Sequence, residues 1–263
     1  MKKILKKILA FFNISIKNKS LLDNLLEDSV QSKKWMDDIR FAIQFGPRVG
    51  PSLADLMHKS KSQINQDIFA LCELNFMKNG FFVDFGATDG ITLSNSYLLE
   101  KEYGFNGILA EPNPRQRKNI KSIRSAIVEE HCVWAESGLT LSFLDVGDHS
   151  TLEKFSSQDM HSEKRKNQKI FMVETISLTD MLCKYDAPNL IDYLSIDTEG
   201  SEFDILSSHD FSKYMFKVIT VEHNYELQRE QIFNLLTQHG YQRKFEDISL
   251  QDDWYVLNDR VNM

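Results

Sequence analysis

Six residues of types that do chemistry stand at the ends of apolar runs: Asp84, Glu111, Asp197 with Glu199 close behind, and Glu222 with His223. The runs leading into them are "FFVDF", "NGILAE", "LIDYLSID" and "KVITVEHN". Short apolar runs of this kind read as strands buried on both faces, as in a parallel sheet. In such sheets the ligand sits beyond the carboxyl ends of the strands. Acids and a histidine gathered there can accept hydrogen bonds from hydroxyls, take up a proton, or hold a hard cation through oxygen.

Two of the acids have more specific surroundings. In "DFGATDG", Gly86 and Gly90 follow Asp84, and glycine lets a chain turn tightly and approach a ligand without a Cβ in the way. The pattern is not G-x-G-x-x-G, and a purely structural turn, with Asp84 as turn former and Gly90 at a helix start, is the alternative. Glu111 follows about twenty residues after Gly90, the place from which an acid accepts hydrogen bonds from ribose hydroxyls. In "DTEG", Asp197 and Glu199 are base candidates; the alternative is a turn in which Asp197 caps backbone N–H groups. His223 in "VEHN" is a third base candidate, or a histidine that orients its loop. A general base typically contributes roughly 10²–10⁴-fold.

The elements that must position these residues alternate between strand and helix. Helices are expected over "SQINQDIFALCELNFM", over "ITLSNSYLLEKEYG" up to Gly104, over 114–124, over "SLTDMLCKYDA" with Ser177 as N-cap, over 201–208, and over 226–239 up to Gly240. "AIVEEHCVWAE" reads as one third strand, with "GLTLSFLDVG" as its hairpin partner, and "KIFMVETIS" as a further strand. "YQRKFEDI" and "DWYVLN" close the chain as an antiparallel pair at one edge. The expected class is α/β, a mostly parallel sheet with that C-terminal pair. Residues 149–169 are polar and without periodicity, which suits a lid or binding loop. Residues 1–60 read as a helical appendage with turns at "FGPRVGP", before a main domain over 61–263.

Composition supports one sizeable domain plus that appendage: 263 residues, 42% hydrophobic and 26% charged. A net charge of −7 argues against nucleic acid as partner. The cysteines, Cys72, Cys132 and Cys183, are odd in number and far apart, so a reducing, cytoplasmic setting is expected. No run is long enough to span a bilayer. Residues 1–20 carry six lysines and no acid around an interrupted apolar run. Such an arm suits peripheral contact with an anionic membrane, or packing as a helix against the domain or a second subunit.

With those strand ends in hand, the sequence resembles the FkbM-type family of S-adenosylmethionine-dependent methyltransferases. The stretches that carry the resemblance are "SQINQDIF", "GFFVDFGATDGITLSNSYLLEKEYGFNGILAEPNP", "YLSIDTEGSEFDIL" and "VITVEHN", in the family's order, with a looser match through "DDWYVL". Thr88 departs from the family's more frequent asparagine. The resemblance implies a class I methyltransferase, Rossmann-like sheet and O-methylation of a sugar hydroxyl in a glycan or glycolipid, or of a small-molecule, polyketide-like hydroxyl. A cofactor-binding scaffold without turnover is a further alternative. Carried onto this chain, Asp84, Gly86, Ala87 and Gly90 would line the methionine half of the cofactor, Asn95 would help bind its carboxylate, and Glu111 with Pro112 would hold the ribose. Cys132 and Trp134 would lie near the adenine, with Trp134 as plain core the competing reading, and Asp197 would also face the cofactor. Related sugar and catechol O-methyltransferases hold a divalent ion at these same strand ends, which here offers Asp197 and Glu222, with His223 or Asn224, as ligands for Mg²⁺ or Mn²⁺.

Overall fold

A computed structural model describes residues 19–145, 151–152, 169–225 and 228–258. It divides the chain into two compact units, Met1–Leu53 and Ala54–Met263. The basic arm expected to touch a membrane lies almost wholly outside the described residues, as does most of the 149–169 loop. The first unit is built on α1 (Lys19–Val49). Its helix runs through Pro47, and the turn read over "FGPRVGP" is confined to a single 3₁₀ turn, Gly50–Ser52. Phe41 and Phe45, one helical turn apart, stack at 4.4 Å between ring centroids. Among the described residues no helix is long and apolar enough to cross a membrane.

The second unit carries a seven-stranded sheet in the order β10-β11-β9-β8-β1-β2-β3. The strands are β1 (Phe81–Phe85), β2 (Asn106–Ala110), β3 (Ile127–Glu129), β8 (Leu190–Ile196), β9 (Met215–Glu222), β10 (Tyr241–Lys244) and β11 (Asp252–Leu257). β1 pairs in parallel with β2 and β8, and β8 in parallel with β9. Burial of both faces explains the apolar runs: Val83, Phe85, Ile108, Leu194, Ile196, Ile219 and Val221 belong to one core cluster, and Phe82, Leu109, Tyr193 and Val218, alternating with them, are buried on the other face. The C-terminal pair forms as expected, β10 and β11 antiparallel at one edge of the sheet with β10 outermost. β11 runs antiparallel between β9 and β10, so the last strand is flanked on both sides.

The expected third strand is divided. After β3 the chain turns at Glu130 and His131, and β4 (Cys132–Trp134) joins a second sheet, β4-β7-β5-β6. The break has a local cause. The buried carboxylate of Glu129 accepts from the backbone N–H groups of Glu130 and His131, and from Lys184 Nζ at 2.8 Å. These bonds turn the backbone away from the ladder. β5 (Thr140–Asp145) pairs with β7 (Lys169–Ser177) and β6 (Thr151–Leu152), and β4 pairs with β7, so the expected β4–β5 hairpin is not formed. Thr151 and Leu152, read as part of a polar loop, form that short strand.

The helices are shorter than their sequence patterns. They are α2 (Leu53–Lys59), α3 (Gln66–Glu73), α4 (Tyr97–Tyr103), α5 (Pro114–Ile123), α6 (Leu178–Lys184), α7 (Glu202–Ser207) and α8 (Gln228–Gln238). Ser177 caps α6 by accepting from Asp180 N, and Gly104 ends α4 in the left-handed region. Residues 91–96 stay out of α4 because Arg124, fully buried, holds them as a loop. Its guanidinium donates to the Gly90 carbonyl at 3.0 Å, Ser94 Oγ at 3.1 Å and Ser96 Oγ at 3.0 Å, and pairs with Glu100 at 2.7 Å.

Candidate active site

The carboxyl ends of β1, β2 and β8, with the start of β4, open onto one cleft, with about 770 Å³ of empty space that is partly open to solvent. Gly86, Thr88, Glu111, Pro112, Cys132, Asp197, Thr198 and Glu199 are in its lining. Leu93 sits in the lining too, and the second sheet contributes Phe143 and Leu152 as an apolar wall. These last three were not singled out in the sequence. Their only signal was apolarity, and the strand that carries Leu152 lay in a stretch read as loop.

Of the residues assigned to a cofactor, the cleft gathers Gly86, Glu111, Pro112, Cys132 and Asp197. Gly86 has φ +84°, and a Cβ there would lie 2.2 Å from the Asp197 carbonyl oxygen. Glycine is therefore needed for the close passage of the β8 end, before any ligand is considered. Asp84 turns inward: its buried carboxylate accepts from Ser96 Oγ at 2.6 Å. Burial raises its pKa, against the pull of Ser96 and Arg124. Ala87 is buried in the turn, where its carbonyl accepts from Gly90 N at 2.7 Å. A Cβ on Gly90 would meet Ile120 and Arg124 at 3.3 Å, so this glycine serves packing against α5. Asn95 donates to Ser195 Oγ at 3.0 Å, and its own Oδ1 is buried without a hydrogen-bond partner. Trp134 packs in the small sheet's core with Phe143, Leu152 and Val173, which favours the core reading.

Glu111 accepts from Asn113 N at 2.8 Å at the ribose position. Burial, helped by the charge of Asp145, pushes its pKa up to about 7. Cys132, pushed up to about 12 by burial and by Glu111, is a neutral thiol suited to packing. The lining fits S-adenosylmethionine: an acid for ribose hydroxyls and an apolar wall for a flat base.

The acids of "DTEG" and "VEHN" do converge. One carboxylate oxygen each from Asp197, Glu199 and Glu222 lies within 4.8 Å of the others. Asp197 is half-buried, the other two buried. The loop that presents them is pinned by Glu202, which the sequence reading passed over as part of a helix. Its carboxylate accepts from Thr198 N at 2.9 Å, Thr198 Oγ1 at 2.9 Å and Gly200 N at 3.0 Å. The pinned turn puts Glu199 at φ +58°, a left-handed conformation costing about 1–3 kcal/mol for a residue other than glycine. Burial and the charge of Glu199 hold Asp197 well above the usual carboxylate range. Burial and the charges of Asp197, Glu199 and Glu202 do the same to Glu222. One oxygen of Glu222, Oε2, is buried with no hydrogen-bond partner.

His223 is not in this group. Its Nδ1 accepts from Tyr225 N at 2.9 Å, and its Nε2 lies 3.6 Å from Asp253 Oδ1. Asp253 is gripped by Arg229 and Arg243. Burial, and behind it the two arginines, lowers the His223 pKa. The ring thus orients its own turn, and Glu199 takes the place expected of it beside Asp197 and Glu222. The donor set is oxygen only, which fits a hard divalent ion.

The family model described as the methyltransferase FkbM domain matches residues 84–243. No curated protein matches the chain. Among solved structures, the TehB-like SAM-dependent methyltransferase from Corynebacterium glutamicum is 9% identical, with 84% of this chain and 98% of that one covered and a TM-score of 0.38. Precorrin-6y C5,15-methyltransferase from Geobacter metallireducens is 14% identical, with 68% and 71% covered and a TM-score of 0.35. A SAM-dependent methyltransferase from Archaeoglobus fulgidus is 14% identical, with 71% and 73% covered and a TM-score of 0.34.

Proposed function

This chain belongs to the FkbM methyltransferase family and is an S-adenosylmethionine-dependent methyltransferase, and we propose that it methylates a sugar hydroxyl, in a glycan or glycolipid, beside Asp197, Glu199 and Glu222 with a divalent cation held among them. The observation that carries the reading is the unpartnered, buried Oε2 of Glu222 beside two further carboxylates. A buried charge without a partner is costly. Repulsion among three acids is relieved either by retained protons or by Mg²⁺ or Mn²⁺, and the oxygen-only donor set suits the cation.

Bound S-adenosylmethionine supplies a methyl group already activated on a sulfonium. The chain's task is to align the acceptor oxygen and remove its proton. Glu111 anchors the cofactor's ribose, and Phe143 and Leu152 close the apolar side of the cleft. Asp197 and Glu199, at the cleft's polar end, accept hydrogen bonds from the acceptor hydroxyl. Asp197, in the cleft lining at the end of β8, is placed to take the proton. A cation among the three acids would lower the acidity barrier of the hydroxyl further.

The test uses the full chain, S-adenosylmethionine and a panel of neutral methyl glycosides, with mass spectrometry reading the gain of one methyl group. Methylation that stops with chelator and returns with Mg²⁺ or Mn²⁺ supports both parts. Methylation indifferent to chelator removes the cation and leaves a carboxylate base. Turnover on polyketide-like hydroxyls but no glycoside overturns the sugar assignment. Asp197→Asn and Glu199→Gln are expected to lower turnover on the order of 10²-fold, with cofactor affinity staying within a few-fold in Glu199→Gln. Turnover near wild type in both variants would place the chemistry elsewhere.

A further inference from the structure

The stretch "SQINQDIF" is unexplained by the cleft, since none of its residues lines it. Yet Gln66, at the start of α3 and 2% exposed, reaches across the sheet to the last strand. Its Nε2 donates to Asp252 Oδ2 at 3.0 Å, and its Oε1 accepts from Ile64 N at 3.0 Å. The segment before it is fixed as well. Asn65 turns at φ +65°, and the buried Asp67 accepts from Ser60 Oγ and Ser62 Oγ. Gln66 therefore cannot drift from Asp252 without undoing a built turn.

Asp252 is directly opposite Glu222 in the antiparallel pairing of β11 with β9. Side chains so placed share a face, with Cβ atoms about 4.5–5.5 Å apart. The next residue on β11, Asp253, points to the other face, and the two acids are treated differently. Asp253 is clamped by Arg229 at 2.7 Å and Arg243 at 3.2 Å. Asp252, 5% exposed, forms no ion pair with a lysine or arginine among the described residues, and the groups that meet its side chain are neutral: the Gln66 amide at 3.0 Å and, more weakly, the Trp254 indole. A neutral amide orients a carboxylate without cancelling its charge; an arginine would do both.

We infer that Gln66 and Asp252 are positioning residues of the cation site, with Asp252 a fourth carboxylate behind Glu222 that strengthens the hold on a hard divalent ion. This rests on the cation reading above. Asp252 does not belong to the oxygen trio itself, so its part is to hold negative charge against Glu222. Second-layer partners of metal ligands typically change metal affinity about 10–100-fold when removed.

The experiment is Mn²⁺ binding to the full chain, read by electron paramagnetic resonance, with thermal unfolding of the cation-free protein and calorimetry of S-adenosylmethionine run alongside. Asp252→Asn, nearly isosteric, should weaken Mn²⁺ about 10-fold or more. It should leave the cation-free melting temperature unchanged or raise it, because a buried repulsion is removed. Cofactor affinity should stay within a few-fold. Gln66→Leu, which leaves Asp252 charged but untethered, should weaken Mn²⁺ less than Asp252→Asn does. A lower melting temperature with wild-type Mn²⁺ affinity in Asp252→Asn would make the pair a structural tie and overturn the inference. Wild-type protein that binds no Mn²⁺ would instead overturn the cation reading, and this inference with it.

Discussion

At the scale of the residue, Glu111 makes the sharpest demand. A carboxylate accepting from ribose forms charge-assisted hydrogen bonds worth roughly 1.5–3 kcal/mol each, so Glu111→Gln should weaken S-adenosylmethionine about tenfold or more in calorimetry. Its pKa, pushed up to about 7, adds a pH signature. Wild-type affinity should rise as pH climbs through that value and the acceptor form takes over, while the glutamine variant stays flat. Equal affinities would take Glu111 out of the site. The residue types at the strand ends were legible in the sequence; the direction in which each points was not. Asp84 and Asp197 both end or follow apolar runs, but Ser96 and Arg124 draw Asp84 inward, and those partners come from a loop whose path no local pattern records. His223 was misread for a similar reason: the arginine-clamped Asp253 that faces it lies on a strand thirty positions further on.

At the scale of the element, the loop 197–200 depends on Glu202. Its carboxylate satisfies three donors that a solvated turn would give to water. Glu202→Ala leaves them buried and unpaired, at about 1–3 kcal/mol, and frees Glu199 to leave its left-handed conformation. Turnover should fall at least tenfold, and hydrogen exchange should quicken over 197–201 with little change elsewhere. Arg124 plays the corresponding part for 90–96. Arg124→Ala takes away the buried partner of Glu100 Oε2 and leaves Lys101 and Ser125 on Oε1, a loss of less than the roughly 3–5 kcal/mol of a fully broken buried pair, which chemical denaturation should register as a lower midpoint. Alternation of strand and helix, Ser177 as a cap and Gly104 as a stop could all be read locally. The division of "AIVEEHCVWAE" between two sheets could not, because it follows from Lys184 and the Glu129 carboxylate meeting across more than fifty residues.

At the scale of the whole molecule, acid is stored inside. Glu111, Glu202 and Asp252 are each pushed up to about 7 and Asp67 to about 6, in every case chiefly by burial. A folded-state pKa above the unfolded one means that the folded protein holds protons the unfolded chain has released. Stability is then fullest below the ordinary carboxylate pKa near 4 and is lost as pH rises through about 6 to 7. The cation-free, cofactor-free protein should therefore melt lower at about pH 8 than at about pH 5, by on the order of a few kcal/mol in stability. Added Mg²⁺ should restore more at the higher pH. Residues 1–20 make a separate prediction: their six lysines should draw the full chain to anionic liposomes at low salt, and removal of the arm should abolish co-sedimentation.

The position of β11 bears on how the enzyme comes into being. The strand flanked by β9 and β10 is the last one among the described residues, and it brings Asp252 to Glu222. While those residues are still inside the ribosome, β9 and β10 have open edges and the acid cluster lacks one wall. Helices and inner strands can assemble during synthesis, but the reactive edge cannot. A message cut short, or a protease trimming from the carboxyl end, would leave a body that still resembles the enzyme and does not work as one. Catalytic competence thus waits on β11 as much as on the acids that earlier strands present.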